Sequence, residues 1–231
     1  MKKIIFAFLG LILLLPVPAN SQVLTVPPKS HPNTSDWDPL FAADLSNANY
    51  SKDVWTSTDG ILTASKDECI WTKREYKNFI LDLEFKTEEN TNSGVIVYCT
   101  NTKDWIPNSV EIQILDDYGK EWANAAGTWL CGAIFGHLAP SKQVVKKPGE
   151  WNHYTITCQG QMIWVMLNGT MVTVMNMALW TDGKKNPDGT PIPNWLPTPF
   201  ANLATHGYIG LQGKHADASI YFRNLKIMEL K

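Results

Sequence analysis

From Trp37 onward the sequence is a succession of short runs in which apolar and polar residues alternate, each bounded by turn residues such as Gly, Pro, Asn or Asp. None of the runs has the sustained 3.6-residue periodicity of an amphipathic helix. The runs predicted to be strands are 60–64, 69–72, 79–85, 94–99, 110–115, 132–135, 154–158, 162–167, 171–174, 208–212 and 219–228. Many short strands joined by turns predict an all-β protein, a jelly roll or sandwich of two packed antiparallel sheets.

One dipeptide fixes a local feature of this sheet architecture. Asn168-Gly169 separates two apolar runs, and the favoured two-residue hairpin turn needs positive φ at both central positions. We therefore expect residues 162–174 to form one antiparallel hairpin.

The N-terminal residues predict export. Two lysines precede an apolar run at 4–15, which is shorter than the roughly 20 residues that a membrane-spanning helix needs. Small residues and prolines follow, so residues 1–21 are predicted to be a signal peptide. Residues 22–36 are rich in Pro, Ser, Thr and Asn and are predicted to be an extended leader into a single domain at 37–231. The expected location is periplasmic or extracellular, with no membrane contact after cleavage.

Charge and cysteine usage narrow the class of ligand. The net charge is −2, and the basic residues come singly or in pairs, so nucleic acid is not an expected partner. The four cysteines allow three complete pairings in an oxidising compartment, and their spacing argues against a structural zinc site. Cys158 shares an apolar face with Tyr154, which favours a buried free thiol, and a Cys99–Cys131 bridge is an open alternative. The sequence carries no signal of the oligomeric state.

The polar residues of the strand at 110–115 are the main candidates for chemistry. Successive side chains of a strand alternate sides, so Val110, Ile112 and Ile114 are expected in the core while Glu111 and Gln113 face away from it. Asp116 joins them only if one extra residue bulges the strand. Such a row would combine carboxylates and an amide, a set fit for acid–base chemistry.

Long segments without strand pattern are a second source of candidates. Residues 118–131 and 177–205 are longer than most connections, and loops of this length are usually functional or disordered. Most of the ten tryptophans are expected to fill the core. Trp129, Trp180 and Trp195 lie in the loops. Two roles are open for them: stacking on a sugar ring, or burial as anchors of the loop.

Taken in order and spacing, several segments resemble the 3-keto-disaccharide hydrolase domain family. The resemblance runs from Trp37 to Leu230. Its elements are Trp37-Asp38-Pro39-Leu40-Phe41 with Asp44-Leu45, Asp59-Gly60-Ile61-Leu62, Tyr76-Lys77-Asn78-Phe79 leading to Glu84-Phe85, Asn92-Ser93-Gly94, residues 111–116, Gly132-Ala133-Ile134-Phe135-Gly136, Gly149-Glu150-Trp151-Asn152, Asn168-Gly169, Gly210-Leu211-Gln212 and Phe222-Arg223-Asn224. The family implies a concanavalin A-like jelly roll of two curved antiparallel sheets that binds an oligosaccharide or keto-glycoside on its concave face.

The resemblance also implies a reaction. A ketone at carbon 3 of a sugar acidifies the hydrogen at carbon 2, so a base can drive elimination of the glycosidic oxygen at carbon 1, after which water adds back. Glu111 is the candidate base, because a carboxylate between apolar strands has a raised pKa. Its alternative role is to hold neighbouring strands or a metal. Gln113 is positioned to donate to the developing enolate or to fix a hydroxyl.

Laminarinase-type endoglucanases of the same superfamily carry two glutamates and an aspartate at the spacing of Glu111, Gln113 and Asp116. The amide at 113 therefore argues against ordinary retaining hydrolysis, which needs two carboxyl groups across the bond. Asp116 and Asp117 compete for one place on this face, and the other is expected to cap a turn.

Further residues are candidates by type and position. His137 and His215 are candidate proton donors, since imidazole titrates near neutrality; the family places the second histidine closer to Gln212 than His215 lies here. Candidate substrate contacts are Asn92, Gln113, Asp116, Asp117, Trp129, Trp180, Gln212 and Arg223. For Arg223, a structural ion pair is an equal alternative to substrate contact. No metal or cofactor signature is present, although a calcium site built from loop oxygens would leave none.

The sequence thus predicts an exported carbohydrate-active enzyme that cleaves 3-keto glycosides, with Glu111 as the lead catalytic residue. The main alternative is a lectin-like carbohydrate-binding domain without catalysis. A third option is an adhesion domain with an apolar patch and no affinity for sugar.

Overall fold

The computed structural model describes residues 27–215 and 218–231, and within them the chain forms two antiparallel sheets. The predicted signal peptide and the first residues of the predicted leader lie outside the described ranges. The strands are β1 (Asp38–Pro39), β2 (Ala48–Asn49), β3 (Trp55–Thr58), β4 (Ile61–Ala64), β5 (Ile70–Thr72), β6 (Phe79–Thr87), β7 (Asn92–Cys99), β8 (Val110–Leu115), β9 (Trp151–Gln159), β10 (Met162–Leu167), β11 (Thr170–Asn176), β12 (Tyr208–Leu211) and β13 (Ile220–Glu229).

The larger sheet has eight strands in the order β11-β10-β9-β6-β13-β4-β3, with β1 also paired to β13. The smaller sheet has five strands in the order β2-β5-β12-β7-β8. Five short 3-10 helices lie in the described connections, at 106–108, 120–122, 127–129, 177–179 and 200–202. This is the predicted all-β jelly roll. None of the described helices is long and apolar enough to cross a membrane.

Alternating apolar side chains of both sheets meet in one core. Leu81, Leu83 and Phe85 of β6 are fully buried, as are Ile112 and Ile114 of β8, which confirms the predicted inward face of that strand. Burial of each such side chain stabilises the fold by roughly 1.5–3 kcal/mol. Because period-two alternation puts every second residue of β8 into this core, the residues between them must face outward.

The predicted hairpin is confirmed. Asn168 and Gly169 have φ values of 50° and 78°, and β10 and β11 pair antiparallel on either side of them. The predicted strand 132–135 differs. It forms isolated bridges and no strand. Ile134 bridges to Ile112 and also to Leu138, because the backbone turns back at Gly136.

The four cysteines are free, and Cys158 is buried as predicted. The Cys99–Cys131 bridge is not formed. Cys99 packs with Trp71 and Ile96 on the outer side of the smaller sheet, whereas Cys131 lies in the main core.

The leader is fastened to the outer face of the larger sheet through His31. The Gly169 N–H donates to His31 Nε2 (2.8 Å), so the ring is neutral with its proton on Nδ1, which lies 2.8 Å from Thr155 Oγ1. Thr155 in turn donates to Asp82, and His153 Nε2 contacts the other Asp82 oxygen at 2.8 Å. The ligand-type atoms of the two histidines and Asp82 lie within 4.8 Å, but these hydrogen bonds occupy both nitrogens of His31. The arrangement is a structural anchor.

Candidate active site

The outer face of the smaller sheet carries a cavity of about 260 Å³. Its floor is built from residues that alternate with the core positions of β7 and β8, and its walls come from loops. The lining residues are Asn92, Trp105, Ile106, Glu111, Gln113, Trp122, Trp129, Phe135, Trp195, Gln212 and His215. Six of the predicted site residues meet here: Asn92, Glu111, Gln113, Trp129, Gln212 and His215.

Glu111 occupies the floor of this cavity. Burial, and after it the negative charge of Asp67, raise the pKa of its carboxyl to about 8. Within residues 27–215 and 218–231, no cation and no hydrogen-bond donor holds the carboxylate. The carboxyl group is therefore held in its neutral form over a range in which an ordinary glutamate is charged.

Two glycines make room on this floor. A Cβ atom at residue 94 would overlap Oε1 of Glu111 and would lie 2.8 Å from its Cγ and Cδ. At residue 210 it would lie 2.5 Å from the Trp71 ring. Gly94 is opposite Gln113 in the β7–β8 register, so its missing side chain is what lets the glutamate lie across the sheet.

Neutral amides lie beside the glutamate. Gln113 is 1% exposed and donates from Nε2 to Asn92 Oδ1 at 2.9 Å. Asn92 is also bridged through its backbone to His215. Among the described residues, one Nε2 proton and the side-chain oxygen of Gln113 have no partner, which suits recognition of a sugar hydroxyl or a developing enolate.

A histidine–carboxylate pair stands at the edge of the cavity. His215 Nδ1 lies 2.6 Å from Asp67 Oδ2, and Gln212 Nε2 donates to Asp67 Oδ1 at 3.3 Å. Both partners are about half exposed, with side-chain exposures of 46% and 45%. The amide of Gln212 therefore fixes the carboxylate that orients the imidazole.

The walls are aromatic. Trp129 packs against Phe135 (ring centroids 5.2 Å apart) and edge-on against Trp195 (6.2 Å). Trp122 is held by its indole N–H on the Asn90 carbonyl (3.1 Å), and Trp195 remains 54% exposed. Of the ten tryptophans only Trp55, Trp71 and Trp180 are buried, so the expectation that most fill the core is wrong. The long loops bury some of their own apolar residues, such as Trp180 and Phe200, and they also carry aromatic rings to the cavity.

Asp116 and Asp117 do not line the cavity. The β7–β8 register runs without a bulge, so Asp116 cannot join the row of Glu111 and Gln113. Asp116 instead accepts from the Asn90 and Tyr118 backbone N–H groups (2.9 and 3.1 Å). Asp117 accepts from the Cys131 N–H at 2.9 Å, and burial raises its pKa to about 6. Both carboxylates hold the ends of the loop that carries the aromatic wall.

Trp180 and Arg223 are also placed elsewhere. Trp180 is 6% exposed and donates its indole N–H to Asn186 Oδ1 at 2.9 Å, so it anchors its loop. Arg223 lies on the outer face of the larger sheet, where it forms a two-pronged pair with Glu84 (2.9 and 3.2 Å). Its guanidinium stacks on Trp151 at 4.0 Å, so the structural ion-pair alternative is the one observed.

His137 is buried outside the cavity. It is 3% exposed, stacks on Phe200 (centroids 3.8 Å apart), and donates from Nδ1 to the Phe135 carbonyl at 2.7 Å. Its Nε2 is buried without a partner among the described residues. Burial lowers its pKa to about 4. The ring supports the turn behind Phe135 and does not reach the cavity.

Acid is expected to destabilise the protein through His137. The folded pKa of about 4 lies below the ordinary histidine value of 6.5. The unfolded chain therefore binds more protons, and the folded state loses stability as pH falls below 6.5. The loss amounts to about 2 kcal/mol at pH 5. Denaturant unfolding at pH 7.5 and pH 5 should show a smaller acid loss in His137→Gln than in the wild type. The exposed His206→Gln is the control, and an unchanged loss in His137→Gln would contradict the assignment.

The sequence did not point to Asp67, Trp105, Trp122 and Phe135. Trp105 and Trp122 stand in loops, and a tryptophan in a loop is a signal by which sequence reasoning could have found these site residues. Asp67 gives none, because it is one of several acidic residues in a turn and reaches His215 only through the pairing of β5 with β12.

Comparisons with known proteins agree with this arrangement. Residues 36–228 match the model of the 3-keto-alpha-glucoside-1,2-lyase-like domain. A provisionally named glycosyl hydrolase of Parabacteroides distasonis ATCC 8503 is 63% identical, with 84% of this chain and 99% of that chain covered and a TM-score of 0.83. A second such protein of that organism is 25% identical, with 85% and 84% covered and a TM-score of 0.60.

A carbohydrate-binding module, CBM66 of Bacillus subtilis, shares the fold at 9% identity, with 82% and 99% covered and a TM-score of 0.50. None of the curated protein sequences compared matches the chain. The family model covers most of the chain and the 63% identical relative shares its fold, so the chain belongs to the family of 3-keto-alpha-glucoside-1,2-lyase-like domains.

Proposed function

We propose that this protein cleaves the glycosidic bond of 3-keto glycosides, or closely related oxidised sugars, by elimination followed by hydration in the cavity of the smaller sheet. The observation that carries the proposal is Glu111, a partly buried carboxyl with a pKa raised to about 8 at the floor of the cavity. Perturbed carboxyls in clefts are typical of acid–base sites. Structural carboxylates in this protein, such as Asp116 and Glu84, are instead held by donors.

The donor set favours elimination over ordinary hydrolysis. Retaining and inverting glycosidases place two carboxyl groups on opposite sides of the scissile bond. Glu111 is the one carboxylate that lines the cavity among the described residues, and its strand neighbour on the same face is the amide Gln113. An amide cannot act as a nucleophile or base, but it stabilises the oxyanion of an enolate.

The cavity fits a sugar. Aromatic side chains form its walls and polar groups its floor, the division that a pyranose ring with its apolar face and hydroxyl edge requires. The predicted N-terminal signal supports an activity outside the cytoplasm, on glycosides that have already been oxidised at carbon 3. Oxidation is therefore the task of a separate enzyme.

The proposal is tested by incubating the purified protein with 3-keto-trehalose and 3-keto-lactose, alongside trehalose and lactose. Release of the second sugar from the keto substrates alone is expected, followed by chromatography over time. Equal cleavage of the parents, or none of the keto sugars, would overturn the proposed function. Binding without any cleavage would support a lectin-like module instead.

Removing the exposed wall residue should weaken binding selectively. Trp195→Ala deletes a ring that is 54% exposed in the free protein, so the melting temperature should be unchanged. The lost stacking should raise KM for the keto substrate about tenfold, equivalent to about 1.4 kcal/mol, with kcat nearly constant. Leu179→Ala is the matched control, since Leu179 is 61% exposed in the same long loop but outside the cavity. An equal KM for Trp195→Ala and wild type would remove this residue from the substrate site.

A further inference from the structure

Three histidine–carboxylate pairs occur among the described residues: His153–Asp82, His206–Glu75 and His215–Asp67. The first belongs to the leader anchor on the larger sheet. The second is exposed and does not line the cavity. Only His215 lines the cavity, and Asp67 also acts electrostatically on Glu111. The location of the third pair therefore needs an explanation that the other two do not.

The contacts of His215 define its proton arrangement. An Asp carboxylate only accepts hydrogen bonds, so Nδ1 of His215 carries the proton that it shares with Asp67 at 2.6 Å. In the neutral ring Nε2 then carries the lone pair, and within the described residues it has no partner. This is the arrangement of a general base whose tautomer is fixed by a carboxylate. Gln212 holds Asp67 from the other side at 3.3 Å, which keeps the orienting group in place.

The surroundings of Glu111, in contrast, favour a protonated side chain. A glutamate that stays ionised at neutral pH is usually stabilised by donors or cations, and none of the described residues supplies one to Glu111. The nearest titratable groups are Asp67 and Cys69, from the segment before β5, and His215, from the segment after β12. Asp67 disfavours a second negative charge, Cys69 is a neutral thiol, and the aromatic walls carry no charge. The site is built to hold Glu111 as a carboxylic acid.

Resting on the proposed function, we propose that the two proton roles are divided between these groups: His215, oriented by Asp67, removes the proton at carbon 2 of the 3-keto sugar, and Glu111 protonates the departing glycosidic oxygen. The C2–H electron pair becomes the C1–C2 double bond as the C1–O bond breaks. The products are the alcohol and a 1,2-unsaturated 3-keto sugar, with His215 protonated and Glu111 ionised. Hydration reverses both transfers: Glu111 takes a proton from water as it adds to carbon 1, and His215 returns one to carbon 2.

The charge relations agree with this division. Burial, and next the charge of Asp67, raise the pKa of Glu111 to about 8, so the acid form predominates at neutral pH. Asp67 therefore serves both groups: it orients the base and keeps the acid protonated. It touches neither reacting atom and is a positioning residue.

The pH profile of the wild type tests the division without any variant. If Glu111 is the acid, kcat/KM for a 3-keto glycoside falls as pH rises through about 8, because the required proton is lost. If Glu111 is the base, kcat/KM rises through the same range, and that result overturns the proposal. In Asp67→Asn the falling limb should move to lower pH and the rate should drop about 100-fold. Glu75→Gln, which alters the pair with His206 outside the cavity, should change neither.

Substrates with different leaving groups separate the two roles. 4-Nitrophenolate leaves without protonation, so Glu111→Gln should cleave a 3-keto 4-nitrophenyl glucoside within tenfold of wild type while losing about 1,000-fold on the 3-keto methyl glucoside. His215→Asn should lose activity on both, because carbon 2 must be deprotonated in each case. The reverse pattern would overturn the assignment. A wild type that cleaves neither keto substrate would overturn the proposed function itself, which is a different result.

Discussion

Glu111→Gln is expected to lower kcat for 3-keto-trehalose about 1,000-fold while leaving the affinity for the sugar within a few-fold of wild type. The variant keeps the size and the hydrogen-bonding shape of the side chain and removes the titrating proton, and acid–base groups typically contribute 10² to 10⁴ in rate. Steady-state kinetics and calorimetric titration measure the two effects. Glu121→Gln, on the exposed part of the aromatic loop, is the control and should behave as wild type.

The same substitution should stabilise the fold, which is the opposite of what loss of a structural carboxylate does. The folded pKa of Glu111 is raised to about 8 from the ordinary glutamate value of 4.5, so the folded state loses stability as pH rises between these values. At pH 8 the glutamine variant should therefore be more stable by about 1–3 kcal/mol in denaturant unfolding. Below pH 4.5 the difference should vanish. A Glu111→Gln variant that cleaves 3-keto-trehalose within tenfold of wild type, or that unfolds more easily than wild type at pH 8, would contradict this role.

Gly94→Ala is expected to lower kcat/KM about 100-fold. The new Cβ would overlap Glu111 Oε1 and lie 2.8 Å from Cγ and Cδ, so the whole side chain must leave its position. Displacements of about 1 Å at a reacting group cost on the order of 100-fold. Gly94 has no positive φ, so the alanine itself introduces no backbone strain.

Gly127→Ala is the matched control for this substitution. Its Cβ would meet only the Ala139 side chain at 3.4 Å, an ordinary contact, and its backbone is equally unstrained. The control should keep wild-type kinetics. Wild-type turnover in Gly94→Ala would show that the observed position of Glu111 is not the active one, whereas loss of folded protein would be detected separately by thermal unfolding.

The candidate site could be predicted in part because a strand has a fixed geometry. Alternation along β8 is enough to place Glu111 and Gln113 on one face and Ile112 and Ile114 on the other. It also gave the condition for Asp116, a bulge, which the observed register excludes. Signal cleavage and export stay predictions, and the chemistry is a prediction that the experiments above address.

Loop residues could not be placed in the same way. Trp129 and Trp180 look alike in sequence, yet Trp129 lines the cavity and Trp180 is buried on Asn186. His137 and His215 both follow glycine-containing turns, but one ring stacks under Phe200 and the other reaches Asp67. A loop has no periodicity that relates position to direction, so its side chains are placed by the contacts it makes after folding.

Features that depend on neighbours along the chain could therefore be predicted from the sequence: the strands, the hairpin at Asn168-Gly169, the inward and outward faces of β8, and the family. Features that depend on pairing between distant segments required the folded structure. Asp67 meets His215 across 148 positions because β5 pairs with β12, and the pKa of Glu111 is raised because burial under the loop walls and the charge of Asp67 disfavour its ionised form. Burial and charge are properties of the assembled site, so the division between acid and base is set by packing.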